Sequence, residues 1–262
     1  MVLLWIALTT QSLRFSLETE EPPNDIHEFT VLPGDTAITT VFEPVQYNLS
    51  AHGVSQPVGW VLEGIFQEID IQTGEVLFEW RPLIIPAFPK ATMKEAASAK
   101  EAMALRSKWP GITCTLAFGF PTLQGCEVNK LYSHLNAVEK DDDGNYLISS
   151  RYLCTLFKIN GKDGSIMWRI NGKKNEFKFV GFNNTFAFQH RARIRVQNAS
   201  TTTISIFDNG SDGENMTSTY SSGMVMSVNT DTNVCTLLRQ YHTPNGGILT
   251  TSQGKHAAIV QH

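Results

Sequence analysis

Alternating apolar and polar positions recur three times along the 262-residue chain, each time as two short runs joined by a polar turn. The three copies extend from Phe66 to Trp80, from Thr155 to Ile170 and from Met224 to Leu237. Side chains of a β-strand point alternately to its two faces, so a period of two predicts strands with one packed face. The turns contain glycine or asparagine, which tight hairpins favour. The pattern therefore predicts three antiparallel hairpins.

The spacing of the three copies indicates blades with long loops. The corresponding positions Ile71, Ile159 and Val228 lie farther apart than the about 40 to 50 residues of a simple propeller repeat. We expect a single all-β, β-propeller-like domain over residues 1–262, with about three to four blades.

Residues 82–128 interrupt the strand pattern. The proline-rich segment RPLIIPAFPK leads into a stretch rich in Ala, Lys, Glu and Met, which are good helix formers, and Trp109-Pro110-Gly111 ends it. We predict a helical or irregular insertion at 82–128 with one helix near residues 90–107.

Two polar stretches have the composition of exposed turns. Asp141-Asp142-Asp143 precedes Gly144-Asn145, and the stretch from Phe207 to Ser222 contains a tight Asp208-Asn209-Gly210 turn. We expect a solvated hairpin turn at Asp141 to Asp143, and a polar loop from Phe207 to Ser222 that does not contribute to a core.

Charge and composition exclude several partners. The net charge is −4 and no block of Lys and Arg occurs, whereas non-specific nucleic-acid or anionic-membrane binding needs a clustered positive field. No apolar run approaches the ~20 residues of a transmembrane helix. No G-x-x-x-x-G-K-[ST] phosphate loop is found, and no cofactor is predicted.

The amino-terminal run MVLLWIALTTQSLRFS lacks a basic region, so it is either a signal peptide or an inner strand. Five Asn-x-Ser/Thr sequences match the N-glycosylation acceptor pattern, which matters only in a secretory compartment. They begin at Asn48, Asn183, Asn198, Asn209 and Asn215. We expect a secreted or secretory-pathway glycoprotein.

The four cysteines do not form a metal-binding or redox motif. Cys114, Cys126, Cys154 and Cys235 are widely spaced and never occur as C-x-x-C, so no zinc site is predicted. Buried free thiols and a single disulfide remain equally compatible with this spacing.

Three segments place histidines, an asparagine and arginines beside short alternating strands. They are His134-Leu135-Asn136, the segment from Asp143 to Arg151, and FQHRAR from Phe188 to Arg193. Imidazole, amide and guanidinium groups together suit the handling of an anionic group.

Seven segments, in chain order, are similar to the arylsulfotransferase family in the form found widely in fungi. They are HEFTVLPGDTAITTVFEPVQYNLS, GWVLEGIFQEIDIQTGEVLFEW, HLNAVEKDDDGNYLISSR, MWRINGK, FQHRAR, ISIFDNG and TTSQG. The resemblance extends from about Asp25 to about Gly254, with a break at 82–128.

This resemblance implies a six-bladed propeller that transfers sulfate from a phenolic sulfate ester to a phenol without a nucleotide sulfate donor. Such a transfer needs a neutral imidazole nitrogen to attack sulfur, and donors that hold the sulfonyl oxygens as charge moves to the leaving phenolate. The site residues implied are His134 and Asn136 on one strand, His190 and Arg193 on the next blade, and Arg151. His27, in the HEF segment, is a further candidate.

The chain departs from the family pattern at several points. Arg191 follows His190 where the family usually has Asp, and Tyr152 replaces a common His. The chain ends at GKHAAIVQH, where the family continues through at least one further blade. We therefore expect a truncated or diverged member with little or no activity, because an unpaired sheet edge and a water-filled site weaken electrostatic stabilisation.

Two alternatives remain from the sequence. The first is a propeller-like binding or scaffold protein, or a non-functional fragment, that has kept the fold without the chemistry. The second is a pyrroloquinoline-quinone or sugar-lactone type of propeller enzyme, which would need metal-binding carboxylates such as Asp141 to Asp143 at the channel.

Overall fold

The computed structural model describes residues 4–8, 11–15, 24–48, 58–82, 130–131, 134–213, 215–244 and 247–254. Within these residues the chain forms sixteen β-strands and no α-helix. The strands are β1 Leu4–Leu8, β2 Gln11–Phe15, β3 Asn24–Leu32, β4 Thr36–Asn48, β5 Val58–Asp70, β6 Val76–Trp80, β7 Lys130–Leu131, β8 Leu135–Lys140, β9 Tyr146–Ser150, β10 Thr155–Ile159, β11 Ile166–Ile170, β12 Lys178–Val180, β13 His190–Gln197, β14 Thr201–Asp208, β15 Ser222–Asn229 and β16 Val234–Tyr241.

Three antiparallel meanders make up most of the described structure. The first sheet has the order β3-β4-β5-β6, the second β8-β9-β10-β11 and the third β13-β14-β15-β16. Two short strands add in parallel, β7 on β5 and β12 on β16, and β1 pairs with β2 as a separate hairpin. These blade-like sheets confirm the prediction of an all-β, propeller-like fold.

The three predicted hairpins are the last two strands of the three sheets. They correspond to β5–β6, β10–β11 and β15–β16, and each pairs antiparallel. The expected burial is incomplete in the first hairpin, where Trp80 is buried but Val76 is 46% exposed. The sheets also contain the strand pairs β3–β4, β8–β9 and β13–β14, which precede the predicted hairpins.

The second sheet is buried on both faces. Every residue of β9 and β10 is buried. Ile148 and Phe157 belong to an apolar core shared with the first sheet, whereas Leu147 and Leu156 belong to a core shared with the third sheet. Because consecutive residues of a strand face opposite sides, one strand supplies both cores.

Polar contacts join the three sheets. The Glu28 carboxylate in β3 accepts hydrogen bonds from the Val138 amide of β8 (3.1 Å) and from the Arg193 guanidinium of β13 (2.7 Å). Glu68 in β5 likewise receives the ammonium of Lys140 (2.7 Å) and the hydroxyl of Tyr146 (2.5 Å) from the second sheet. Such buried carboxylates fix how neighbouring sheets are placed, because each needs all of its partners.

Asp141 to Asp143 lie in the predicted hairpin turn between β8 and β9, but Asp141 is buried, and part of the stretch predicted to be a polar loop from Phe207 to Ser222 is buried as well. The Asp141 carboxylate forms an ion pair with Lys158 and accepts the Asp143 amide at 3.0 Å. β14 continues to Asp208, and Asn209 is completely buried. These polar groups tolerate burial because protein donors and acceptors satisfy them.

The predicted insertion at 82–128, with its helix near 90–107, lies outside the described residues except for residue 82. The described residues contain no helix that is long and apolar enough to cross a membrane.

Cys154 and Cys235 are free thiols, and burial raises their pKa values to about 11 and about 12. Cys114 and Cys126 fall outside the described residues.

Candidate active site

Three imidazoles, one from each sheet, form a cluster. His27 lies in β3, His134 directly precedes β8, and His190 is the first residue of β13. The Nε2 atoms of His27 and His134 are 3.2 Å apart. The ring centroid of His134 lies 4.5 Å from that of His27 and 6.4 Å from that of His190. Because β8 contacts both β3 and β13, these strands bring the rings together in what we call the histidine cluster.

Each first strand has an irregular register next to its histidine. The pairing shifts between Asn24 and Phe29 in β3, between Leu135 and Ala137 in β8, and between His190 and Arg193 in β13. In β13 the irregularity includes Arg191, whose φ of 52° is left-handed. Bulges bend a strand and re-aim its side chains, and they are frequent beside active sites.

Both ring nitrogens of His190 have defined partners. Nδ1 lies 2.6 Å from Oδ1 of Asn209, and Nε2 accepts the backbone N–H of Gln253 at 3.2 Å. Burial lowers the pKa of His190 to about 4; the hydrogen bond that its ring donates to Asn209 opposes this effect, and the charge of Arg151 adds to it. His190 is therefore a neutral imidazole at neutral pH.

His134 is also neutral but less completely hydrogen-bonded. Burial, followed by the charges of His27, Arg151 and His190, holds its pKa well below the usual histidine value. Its Nδ1 atom is buried and has no hydrogen-bond partner among the described residues. The rings of Phe42 and Tyr152 lie 5.9 and 5.3 Å from it, centroid to centroid.

Arg151 is a buried cation beside the imidazoles. Its backbone N–H donates to the carbonyl of His134 (2.9 Å), which continues the β8–β9 ladder by one pair. The guanidinium lies over the rings of Tyr152 and Phe188, at 5.0 and 5.6 Å, and Nη2 donates to the carbonyl of Thr251 (2.6 Å). Its Nε atom is buried without a partner in the described structure. Neutral imidazoles and one buried cation favour a monoanionic ligand.

The structure places the other two predicted site residues in supporting contacts. Asn136 donates from Nδ2 to the carbonyl of Gln189 (2.7 Å), so it holds the residue that precedes His190. The Gln189 side chain in turn donates to Ser149 Oγ and the Ser150 carbonyl in β9. The guanidinium of Arg193 pairs with Glu28, the residue after His27.

Sequence reasoning missed three neighbours of the cluster. Tyr152 was noted only as a departure from the family pattern, Asn209 only as a turn residue and glycosylation acceptor, and Gln253 only as part of TTSQG. The positions of ISIFDNG and TTSQG among the family-like segments were the available signal.

The carboxylates at Asp141 to Asp143 do not form a metal site in the described structure. Asp141 is committed to Lys158, and no group of three or more His, Cys, Asp or Glu side chains suited to a metal ion occurs among the described residues. The histidine cluster consists of three imidazoles, and the charged group beside it is the guanidinium of Arg151.

Comparison with known proteins identifies the family of the chain. The family model described as arylsulfotransferase (ASST) matches residues 8–102 and 117–261, which is most of the chain. No curated protein matches the chain significantly.

Proposed function

Because the chain belongs to the arylsulfotransferase (ASST) family, we propose that it transfers a sulfuryl group from an aryl sulfate to a phenolic acceptor through a histidine. The observation that carries this proposal is the meeting of His27, His134 and His190 beside Arg151. An aryl sulfate is a monoanion with an apolar ring. The cluster offers it a buried cation, neutral nitrogen atoms and the aromatic rings of Phe42, Tyr152 and Phe188.

His190 is the histidine best suited to attack sulfur. A nucleophilic imidazole must be neutral and must have one nitrogen lone pair that can be turned toward the substrate. Among the described residues, the Nε2 lone pair of His190 accepts a hydrogen bond only from the N–H of Gln253, which a bound substrate can displace. The Nε2 of His134 faces another imidazole, and its Nδ1 is buried.

In the first half-reaction, His190 Nε2 forms a bond to sulfur while the bond between sulfur and the aryl oxygen breaks. The electron pair of that bond leaves with the phenolate. Arg151 supports this step because its positive charge balances the sulfonyl oxygens and the developing phenolate charge. The displaced Gln253 N–H is a further donor for a sulfonyl oxygen.

In the second half-reaction, the acceptor oxygen bonds to sulfur and the N–S pair returns to Nε2. The acceptor loses one proton and the departed phenolate gains one, so the complete cycle needs no net proton. We propose that His27, which is only partly buried and contacts His134, exchanges this proton with solvent.

A steady-state assay with p-nitrophenyl sulfate and an acceptor phenol tests the proposal. His190→Gln should lower kcat/KM by at least about 10³-fold because it removes the nucleophile. Arg151→Met should lower it by about 10²- to 10³-fold because it removes one charged donor. His242→Gln is the matched control, since His242 is exposed and its ring lies against Tyr220, at 4.7 Å between centroids.

Alkaline quenching during turnover should trap a sulfuryl group on the peptide that contains His190. Turnover that survives His190→Gln would contradict the assignment of the nucleophile. Aryl sulfate binding without any turnover would instead agree with the little or no activity expected from the sequence, and would support the alternative of a non-catalytic propeller-like binding protein.

We propose secretory localisation on separate grounds. Asn183, Asn198 and Asn215 are exposed, so a folded chain can carry glycans there. Asn209 is completely buried, and its Nδ2 donates to the carbonyl of Thr250 (3.1 Å). Glycopeptide mapping of protein secreted from a glycosylating host should find glycans at exposed sites and none at Asn209. A folded product glycosylated at Asn209 would contradict the buried position of this side chain.

A further inference from the structure

Asn209 contacts His190 on the side of the ring opposite Nε2, and its amide orientation is determined by its other contacts. Nδ2 of Asn209 lies 3.1 Å from the carbonyl oxygen of Thr250 and 2.8 Å from that of Gln253. Two carbonyl oxygens can only accept, so this atom is the amide nitrogen, and Oδ1 faces His190. Because Oδ1 can only accept, the proton of this hydrogen bond is on Nδ1 of His190.

The contact at Nε2 requires the same tautomer. The donor there is the backbone N–H of Gln253, so Nε2 carries the lone pair. Two independent contacts therefore place the ring proton on Nδ1. In free imidazole side chains the proton is not held on one nitrogen, and a second hydrogen-bonding group has to select the tautomer.

We propose that Asn209 is a positioning residue that fixes His190 as the Nδ1–H tautomer and so presents Nε2 as the reactive nitrogen. This inference rests on the proposed function of His190. Asn209 does not touch the transferred group. Its amide also joins the ring to the segment Thr250–Gln253, which closes over Nε2 and over Arg151 through the Thr251 carbonyl.

A neutral amide suits this reaction better than a carboxylate would. A carboxylate at the same place would favour the charged imidazolium and would fill the Nε2 lone pair with a proton. After sulfur transfer, the Nδ1 proton stays on the ring and is shared with Oδ1, because an amide oxygen does not take it up. The sulfurylated ring keeps its positive charge and remains a good leaving group for the second half-reaction.

The charged and titratable groups that surround His190 come from three other elements. They are His27 in β3, His134 before β8, and Arg151 after β9. The positive charge of Arg151 disfavours protonation of His190. The other two imidazoles carry no negative charge that would favour it. None of these groups distinguishes Nδ1 from Nε2, whereas the contacts of His190 with Asn209 and with the Gln253 N–H do.

Nitrogen-15 NMR of histidine-labelled protein reports the tautomer and the pKa of His190 without any turnover. The signals of His190 are assigned by their loss in His190→Gln. We expect the Nδ1–H tautomer in the wild-type protein. Asn209→Asp should raise the pKa of His190 by about 1 to 3 and shift the acid limb of kcat/KM by the same amount. Asn209→Leu should weaken the preference for Nδ1–H, which then depends on the Gln253 N–H alone, without raising the pKa.

Ser221→Ala is the matched control. The Ser221 hydroxyl donates to the Asn209 carbonyl (2.7 Å) and accepts the Thr250 amide (2.8 Å), so it holds the same segment without touching His190. It should leave the tautomer and the pKa unchanged. If Ser221→Ala shifts them as Asn209→Asp does, Asn209 has only a structural role.

An Nε2–H tautomer in the wild-type protein would overturn the proposal, even if Asn209→Leu does not fold. If the wild-type protein shows the Nδ1–H tautomer but no sulfuryl transfer, the proposed function is rejected. The role of Asn209 in fixing the tautomer would then still stand.

Discussion

At the scale of single residues, burial sets the chemistry of the histidine cluster. An imidazole removed from water and placed near a guanidinium loses its proton readily, because both effects disfavour a second positive charge. His134 and His190 are therefore neutral at pH values where an exposed histidine is partly charged. Arg151 keeps its charge, so the site combines nucleophilic nitrogen with a fixed cation.

The pH dependence of activity should reflect this burial. The pKa of His190 is lowered to about 4, so the neutral, reactive form persists as the pH falls through 6.5 and is lost only near 4. We expect kcat/KM with p-nitrophenyl sulfate to stay level from neutral pH to about 5 and to fall below it. The donor remains a monoanion throughout, so the limb reports on the enzyme.

Asp208 requires a control because burial raises its pKa to about 6. Its carboxylate accepts hydrogen bonds from the backbone N–H groups of Ala187 (2.9 Å) and Gly210 (3.0 Å). It therefore connects the segment that precedes His190 with the turn that follows Asn209. Asp208→Asn should leave the limb near pH 4 in place. A limb near 6.5 in the wild-type protein would mean that the reactive imidazole is solvated, contrary to the structure.

The sequence allowed some of these residues to be anticipated and not others. His134, Arg151 and His190 stood in family-like segments, and imidazole and guanidinium groups point to anion chemistry by themselves. Asn209 is equally close to His190, but an Asn-Gly pair also favours a turn. Its role depends on Thr250 and Gln253, which are distant in sequence, and no local pattern contains that contact.

At the scale of elements, buried polar residues interrupt the alternating pattern in the strands that precede the predicted hairpins. Glu28 in β3, Asn136 in β8 and Ser149 in β9 are all buried, which breaks the expected alternation of apolar and polar positions. Buried polar residues also occur in strands that the pattern did predict, such as Glu68 in β5 and Lys158 in β10, so polar burial alone does not separate the two sets of strands. The first strands are polar because they exchange hydrogen bonds across sheets, and these contacts place the histidines.

Glu28 tests the importance of these contacts. Glu28→Gln should lower the free energy of unfolding by about 3 to 5 kcal/mol, because it leaves the Arg193 guanidinium largely buried without its anion. The double variant Glu28→Gln with Arg193→Met should lose less than the sum of the two single changes. Urea unfolding followed by tryptophan fluorescence measures all three.

Arg169 and Glu176 provide the comparison pair. They form an ion pair at 2.9 Å, but Glu176 is exposed and both residues belong to the region of β11. Glu176→Gln should cost no more than about 1 kcal/mol. Equal losses for Glu28→Gln and Glu176→Gln would show that the Glu28 contacts do not hold the sheets together.

At the scale of the whole molecule, the second sheet links two apolar cores. The face with Ile148 packs toward Phe66 and Trp80 of the first sheet, and the face with Leu147 packs toward Ile204 and Met226 of the third. A sheet packed on both faces shows continuous apolar runs instead of alternation. The second sheet, which begins beside His134, packs against both neighbours. It therefore fixes the positions of His27 in the first sheet and His190 in the third sheet relative to each other.

Two separate cores should give independent stability effects. Leu147→Ala and Ile148→Ala should each lower the free energy of unfolding by about 2 to 5 kcal/mol. The double variant should equal their sum within about 0.5 kcal/mol, because the two side chains share no core partners. Ile148 and Phe157 face each other across β9 and β10 in one core, so Ile148→Ala with Phe157→Leu should deviate from additivity by about 0.5 to 3 kcal/mol. Urea unfolding of the three single variants and the two double variants measures these free energies. Strong coupling between Leu147 and Ile148 would show that the sheet does not separate two cores.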